Sequence, residues 1–416
     1  MRFSEFGEKI SGDSGIKSLM DDLGMAMSVN RDMKMLGGGN PAHIPEVQCL
    51  LRKKMADLLE NGTCFEECIG NYDSPQGNHI FISGLVKLLN ENYGWNITED
   101  NVALTNGSQS AFFTLFNIFG GKFSDGSYKR ILLPLAPEYI GYSDVGIHAE
   151  ELFVSFKPEI EFLENNIFKY HIDFSRLDFD GNIGAVCVSR PTNPTGNVLS
   201  DFEVNKLIEI TREKGLPLII DNAYGTPFPD IVFSEAKPHF AENVITCLSL
   251  SKLGLPGVRT GIIVGPKTVI SMVSQVNAIM NLAPGSFGAV LASDMVGSGE
   301  IIKMSSNVIQ PYYRKKMETA VNLLKENLKG LDFFIHKPEG AIFLWIWFRG
   351  LKITSAELYE RLKARGVLII SGHYFFPGLK DEWKHRDECI RLTYSQSDEA
   401  VKSGIEIIAD EVRKHY

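Results

Sequence analysis

The sequence predicts an α/β protein whose large domain carries a mostly parallel, doubly wound sheet, with a smaller α+β domain beside it. Three observations predict it. At 416 residues the chain is too long for one ordinary hydrophobic core. From about residue 100 to 300, short continuous apolar runs alternate with amphipathic stretches, as expected of strands covered on both faces by helices. Beyond about residue 300 this alternation stops and a different order of helices and strands begins. The boundaries that follow are a large domain over 43–300 and a small domain formed by 1–42 with 301–416.

In chain order, NVALT (101–105) reads as the first buried strand. TNGSQSA (105–111) then opens a helix at Ser108–Phe119, with Phe112, Leu115, Phe116 and Phe119 at helical spacing. Strands follow at RILLPLA (130–136) and IGAVCVS (183–189). The next helix starts at Ser200 or Asp201 as N-cap and runs to Lys214, with Val204, Leu207, Ile208 and Ile210 as its apolar set. LPLIID (216–221), VITCLSL (244–250) and TGIIVG (260–265) complete the set of strands. The later part predicts a long helix near 311–329, the strand GAIFLWIWF, a helix at 355–365, GVLII, the strand CIRLTYS and a last helix from about 398. The segment before residue 43, with its turn-rich LGGGNPAHIPE, is too short to fold alone and is expected to pack on the C-terminal part or across a partner subunit.

Composition narrows the function classes. Hydrophobic residues make up 44% and charged residues 22%, and the formal net charge is −9 with the basic residues dispersed. This argues against a nucleic-acid partner. No run is long enough to span a bilayer and the start lacks a signal peptide's apolar region, so no membrane role and a cytoplasmic location are expected. Six cysteines are scattered along the chain, and nothing near Cys64 and Cys68 completes a zinc set, so no metal is expected. Cys187 and Cys247, inside apolar runs, read as small core residues.

Four polar sites stand where strands end, which is where open parallel sheets bind ligands. After NVALT, Gly107, Ser108 and Gln109 can offer amides and a hydroxyl to an anion at a helix N-terminus; an ordinary helix cap explains them too. After IGAVCVS, the rigid turn of SRPTNPTGN (189–197) aims the Asn193 amide off a strand end. After LPLII, Asp221 closes an apolar strand and needs a cationic partner, with Tyr224 three residues on; a helix-capping aspartate is the plain alternative. After VITCL, Ser249, Ser251, Lys252 and Arg259 combine hydroxyls, an amine and a guanidinium. Arginine suits phosphate through its planar fork, and a confined lysine loses basicity and can form a Schiff base.

One ligand satisfies all four sites: pyridoxal 5'-phosphate, whose phosphate, protonated ring nitrogen, phenolic oxygen and aldehyde need these groups. Tyr139, in PLAPEYIGY, could stack on its ring.

The order Tyr72, Gly107–Ser108–Gln109, Tyr139, Asn193 in NPTG, Asp221, Tyr224, Ser249-x-Ser251–Lys252, Arg259 and a late Arg391 resembles the fold-type I aminotransferases of the aspartate aminotransferase superfamily over nearly the whole chain. Within it, GGGNPAHIPE, NYDSPQG, LTNGSQSAFF, SRPTNPTGNV, DNAYGTPFP, SLSKLGLPG and KPEGAIFLW are similar to the valine–pyruvate aminotransferases. The resemblance implies a sheet of the seven-stranded type, Lys252 as Schiff-base lysine and proton shuttle, and Asp221 on the pyridinium. It further implies Tyr224 and Asn193 on the phenolic oxygen, Tyr139 stacked on the ring, and the phosphate on Gly107, Ser108, Gln109, Ser249, Ser251 and Arg259. Tyr72 would reach the neighbouring subunit's cofactor, making the partner a second copy of the chain in a homodimer with shared sites. Gly39 would meet the substrate through its backbone, and Tyr139 and Asn193 would also border the substrate.

Arg391 fits this from its own pattern. With period two, Ile390, Leu392 and Tyr394 face one side of CIRLTYS and Arg391 the other, where it can clamp an amino acid's carboxylate. A surface salt-bridge arginine is the alternative. The implied reaction is transamination from L-valine to pyruvate. Other pyridoxal-phosphate reactions on neutral or aromatic amino acids share the same residues. A serine hydrolase reading of Ser249–Lys252 as S-x-x-K lacks the K-T-G that should follow.

Overall fold

The computed structural model describes residues 2–12, 17, 21, 24, 32–148 and 150–416. Its central sheet runs Val102–Thr105, Gly261–Val264, Val244–Ser249, Leu218–Asp221, Ile183–Ser189, Tyr128–Leu133 and Gly121–Lys122, and Phe153–Ser155 also pairs with Tyr128–Leu133. The pairings from Val244–Ser249 through Tyr128–Leu133 are parallel, as is that of Phe153–Ser155. Gly261–Val264 is antiparallel to both of its neighbours.

Every residue of Ile183–Ser189 and Val244–Ser249 is buried, because helices cover both faces. On one face Ala185, Cys187, Ile219, Ile245 and Cys247 pack with Phe112, Leu115 and Phe116 of helix Ser108–Phe119. On the other, Val186, Val188, Leu218 and Ile220 pack with Val204 and Leu207 of helix Asp201–Glu213. The two cysteines are therefore core residues, as their neighbours in sequence indicate. Ser200 caps the second helix in a reciprocal capping box with Glu203.

A second sheet runs Ile370–Ser371, Cys389–Thr393, Phe343–Phe348, Phe333–His336, Ile167–His171 and Glu159–Leu163. Its last two strands form a hairpin from within 43–300, which joins the sheet because Ile167–His171 pairs in parallel with Phe333–His336. Helices Gln310–Asn327, Ser355–Ala364 and Asp398–Arg413 accompany this part. The early segment packs on it: Lys34–Met35 pairs with Val367–Leu368, and the Leu36 carbonyl accepts from the Thr393 amide. Among the described residues no helix is long and apolar enough to cross a membrane.

Candidate active site

Parallel register brings four strand ends to one edge. Asp221 lies beside both Ser189 and Cys247, two residues before Ser249, and Thr105 lies opposite Gly261, which itself pairs with Ser249. The loops leaving these ends carry the polar residues.

Lys252 sits in a short helical turn, Ser251–Leu253, just past Val244–Ser249. Its Nζ donates to the Gly39 carbonyl at 2.7 Å and lies 5.2 Å from the centre of the Tyr224 ring. Burial, then the Arg391 charge, pushes its pKa down to about 8; Asp221 opposes the shift and Arg259 adds to it. The amine bonds a carbonyl and not a serine hydroxyl, against the S-x-x-K arrangement.

Asp221 ends its strand and heads a loop, so it is no helix cap. Its Oδ2 accepts from the Tyr142 hydroxyl at 2.7 Å and its Oδ1 from the Ala223 amide at 3.1 Å. Burial raises its pKa against these bonds and the Lys252 charge. The Lys252 charge acts on it without forming an ion pair, which leaves its carboxylate suited to a cationic ligand group.

At the head of helix Ser108–Phe119, Gly107 has φ 86° and acts as N-cap. A Cβ there would stand 2.1 Å from Nη2 of Arg259, so glycine is what lets the guanidinium lie against the helix start. The Ser110 and Ala111 amides donate to the Gly107 carbonyl, while those of Ser108 and Gln109 lead the helix ahead of them. Arg259 reaches Ser251 Oγ at 3.4 Å, and Ser249 Oγ accepts from the Ser251 amide at 3.1 Å. Amides, hydroxyls and a guanidinium thus converge on a cradle for a phosphate-like dianion. The Gln109 side chain donates instead to the Gly141 carbonyl at 2.7 Å.

Arg391 is 3% exposed, which excludes the surface salt bridge. Its Nη1 donates to Asn193 Oδ1 and its Nη2 to the Gly37 carbonyl, both at 2.7 Å. The guanidinium stacks 4.1 Å from the centre of Phe343, and its Nε is buried without a partner. Burial lowers its pKa to about 10. A buried arginine held only by neutral acceptors, with an orphaned N–H, is suited to a carboxylate that arrives with a ligand. Because Asn193 spends Oδ1 on Arg391, its NH₂ is the side of the amide left to address an oxygen.

Tyr139 folds over Gly141, where a Cβ would come within 2.3 Å of its ring, and meets Tyr142 edge-on at 5.4 Å. The charges of Arg391, Asp221 and Arg259 all act on it, which places it among the other site residues. Tyr224 is 6% exposed, with its ring edge-on to Phe343. Tyr72 is set apart: 81% exposed, it makes none of the cluster's bonds.

The chain matches the family "Aminotransferase class I and II" over residues 51–408. It belongs to that family. This aminotransferase is 48% identical to the valine–pyruvate aminotransferase of Escherichia coli K12 over 414 residues, covering 100% of this chain and 99% of the relative. Among solved structures it superposes on the valine–pyruvate aminotransferase of Salmonella typhimurium LT2 with a TM-score of 0.88 and 47% identity, covering 96% and 99% of the two chains. A Psychrobacter arcticum 273-4 protein assigned as an amino-acid aminotransferase gives a TM-score of 0.98 at 47% identity, covering 100% of this aminotransferase and 99% of that chain.

Sequence reasoning missed three residues of the site. Tyr142 and Glu138 both lie in PLAPEYIGY, beside the Tyr139 that was singled out, and Phe343 lies in GAIFLWIWF. The signal was a glutamate inside an otherwise apolar strand exit, where an unpaired charge is costly.

Proposed function

We propose that this aminotransferase moves the amino group of L-valine to pyruvate in two half-reactions on pyridoxal phosphate, releasing 2-oxoisovalerate and L-alanine. The observation that carries the chemistry is that Lys252, Asp221 and Arg391 share one buried space without neutralising one another. The choice of valine and pyruvate rests on the full-length similarity to the Escherichia coli enzyme.

Bound pyridoxal phosphate supplies an aldehyde that condenses with amines and a ring that takes up the electron pair released at the substrate's α-carbon. Gly107, Ser108 and Gln109 would hold its phosphate by backbone amides, with Ser249, Ser251 and Arg259 adding hydroxyls and charge. Asp221 would face the ring nitrogen, Tyr224 and Asn193 the phenolic oxygen, and Tyr139 the ring's flat side. Lys252 would be the amine that anchors the aldehyde, and its Nζ, its basicity lowered by burial, would be the group placed to move the proton at the substrate's α-carbon. Arg391 would clamp the α-carboxylate, and Gly39, whose carbonyl accepts from Lys252 Nζ at 2.7 Å, would meet the substrate through its backbone. Two copies of the chain share their sites, each exposing Tyr72 toward the other's phosphate; the exposure of Tyr72, Ile279 and Leu282 supports this.

The test is the near-visible absorbance of the purified protein, followed through addition of L-valine and then pyruvate. A yellow band bleached by valine and restored by pyruvate is expected. A yellow band indifferent to valine discards the substrate pair, and a protein that takes up no pyridoxal phosphate discards the reading.

A further inference from the structure

Lys169 and Glu339 are buried opposite charges that this chemistry leaves unused. Lys169 stands in strand Ile167–His171 of the second sheet, and Glu339 in the segment that leads from Phe333–His336 to Phe343–Phe348. An ammonium has three protons to give. Lys169 Nζ meets an acceptor for each: Glu339 Oε2, the Val198 carbonyl at 3.1 Å and Asn197 Oδ1 at 3.2 Å. Glu339 Oε2 also accepts from the Val198 amide at 3.2 Å, and its Oε1 lies 2.9 Å from Nζ of the half-exposed Lys337. The ammonium is fully bonded and both carboxylate oxygens are engaged.

The partners belong to one turn. The Asn197 carbonyl accepts from the Thr192 amide and the Thr192 carbonyl from the Gly196 amide, both at 2.8 Å. The Gly196 carbonyl accepts from the Glu339 amide at 3.2 Å. Asn193 lies inside that closed turn, and its Oδ1 accepts from Nη1 of Arg391. Phe343, on whose ring the Arg391 guanidinium stacks, follows Glu339 along the same segment. Two neighbours that orient Arg391 are therefore held by one ion pair. Desolvation offsets the attraction within a buried pair, so such a pair adds little to stability. A fully bonded one fixes where its partners stand.

We propose that Lys169 and Glu339 are positioning residues, which set the turn of Asn193 against Arg391 and so fix the plane in which the guanidinium meets the substrate's carboxylate. The role of Arg391 rests on the proposed function; the bonding of the pair to the turn does not.

The experiment uses the enzyme loaded with pyridoxal phosphate and two probes that differ only in the group facing Arg391, isovalerate and isovaleramide. Their inhibition constants against L-valine give a carboxylate-over-amide preference. Lys169→Met combined with Glu339→Leu removes both charges and leaves neither buried alone. This double variant should hold the pyridoxal phosphate dissociation constant within about twofold. Its preference for the carboxylate should fall about tenfold, because the guanidinium is no longer held in place. Asn197→Ala keeps the pair but cuts one of its bonds to the turn, and should lower the preference about threefold. A merely structural pair would weaken both probes alike. A folded double variant with the wild-type preference, or one that loses both probes equally, overturns the proposal. If the double variant does not fold, the same ratio measured on Asn197→Ala decides. Failure of wild type to turn over L-valine, or to prefer isovalerate, overturns the functional reading instead, and is seen before any variant is made.

Discussion

Lys252 and Asp221 carry opposite charges on adjoining strand ends, yet burial weakens each of them and no ion pair forms. This has a consequence for stability. Unfolded, the lysine keeps its proton to its ordinary 10.5; folded, it releases it near 8. Between those values the unfolded chain binds more protons, so stability of the cofactor-free protein rises with pH across that window. Below it the penalty is present in full. Lys252→Met should therefore stabilise the cofactor-free protein at pH 7 by about 1–3 kcal/mol. The gain should shrink as pH climbs past 8, as thermal unfolding over a pH series would show. The same variant should lose transamination altogether; turnover at the normal rate would remove Lys252 from the mechanism. Arg391→Lys keeps the charge but not the fork, and should raise KM for valine and pyruvate alike, with kcat/KM lower by about 10–100-fold. Lys252, Asp221 and Arg391 could be read in the sequence because each breaks an apolar run. Glu138 and Tyr142 could not be assigned there, since their partners Ser189 and Asp221 meet them only through sheet register.

Two helices place the site, and each depends on its first turn. Helix Ser108–Phe119 begins at a glycine pressed against Arg259. Gly107→Ala must displace the guanidinium and strain a positive φ, so pyridoxal phosphate affinity should fall about tenfold or more, measured by equilibrium dialysis. An unchanged constant would mean that Arg259 and this turn do not hold the phosphate. Helix Asp201–Glu213 is tied to the second sheet through Glu203, which accepts from the Ile172 amide and lies 3.6 Å from His171 Nδ1. Burial works to raise the pKa of Glu203, but bonds from His171, Ser200 and Ile172 outweigh it and bring it down to about 2. The stabilisation is therefore complete above the ordinary 4.5 and is lost as pH falls through 2. Glu203→Gln should lower stability at neutral pH by about 1–3 kcal/mol. The difference from wild type should close on acidification.

At the scale of the molecule, the two sheets are joined by the hairpin Glu159–His171 and by a buried ion pair. Lys169 of that hairpin bonds Glu339, Asn197 Oδ1 and the Val198 carbonyl, linking the second sheet to the turn that carries Asn193. Gly196 and Gly340 touch at the same junction, where a Cβ on Gly196 would stand 2.7 Å from the Gly340 carbonyl. Large apolar side chains remain exposed at Ile69, Ile80, Ile279 and Leu282, in keeping with the proposed homodimer. Mixing Lys252→Ala subunits with Tyr72→Ala subunits, after dissociation and reassociation, should restore partial activity, because each hybrid dimer then holds one intact site. No recovery, with hybrids verified by mass, would place Tyr72 outside the partner's site.

What the sequence by itself determined is what nearest neighbours along the chain can encode. Continuous apolar runs mark doubly covered strands, helical spacing marks Ser108–Phe119, and a capping residue at Ser200 or Asp201 marks the next helix start, which the structure places at Ser200. The motifs at the strand ends pointed to one ligand because their residue types, not their distances, match its groups. Tertiary structure decided the rest. It sent the hairpin Glu159–His171 to the second sheet, and it paired Lys34–Met35 with Val367–Leu368. It also set Asn193 against Arg391 across 198 residues of chain, and aligned Glu138, Ser189, Tyr142 and Asp221. The physical reason is that period and turn chemistry act over a few residues. Strand pairing and the satisfaction of buried polar groups are chosen by burial over the whole chain.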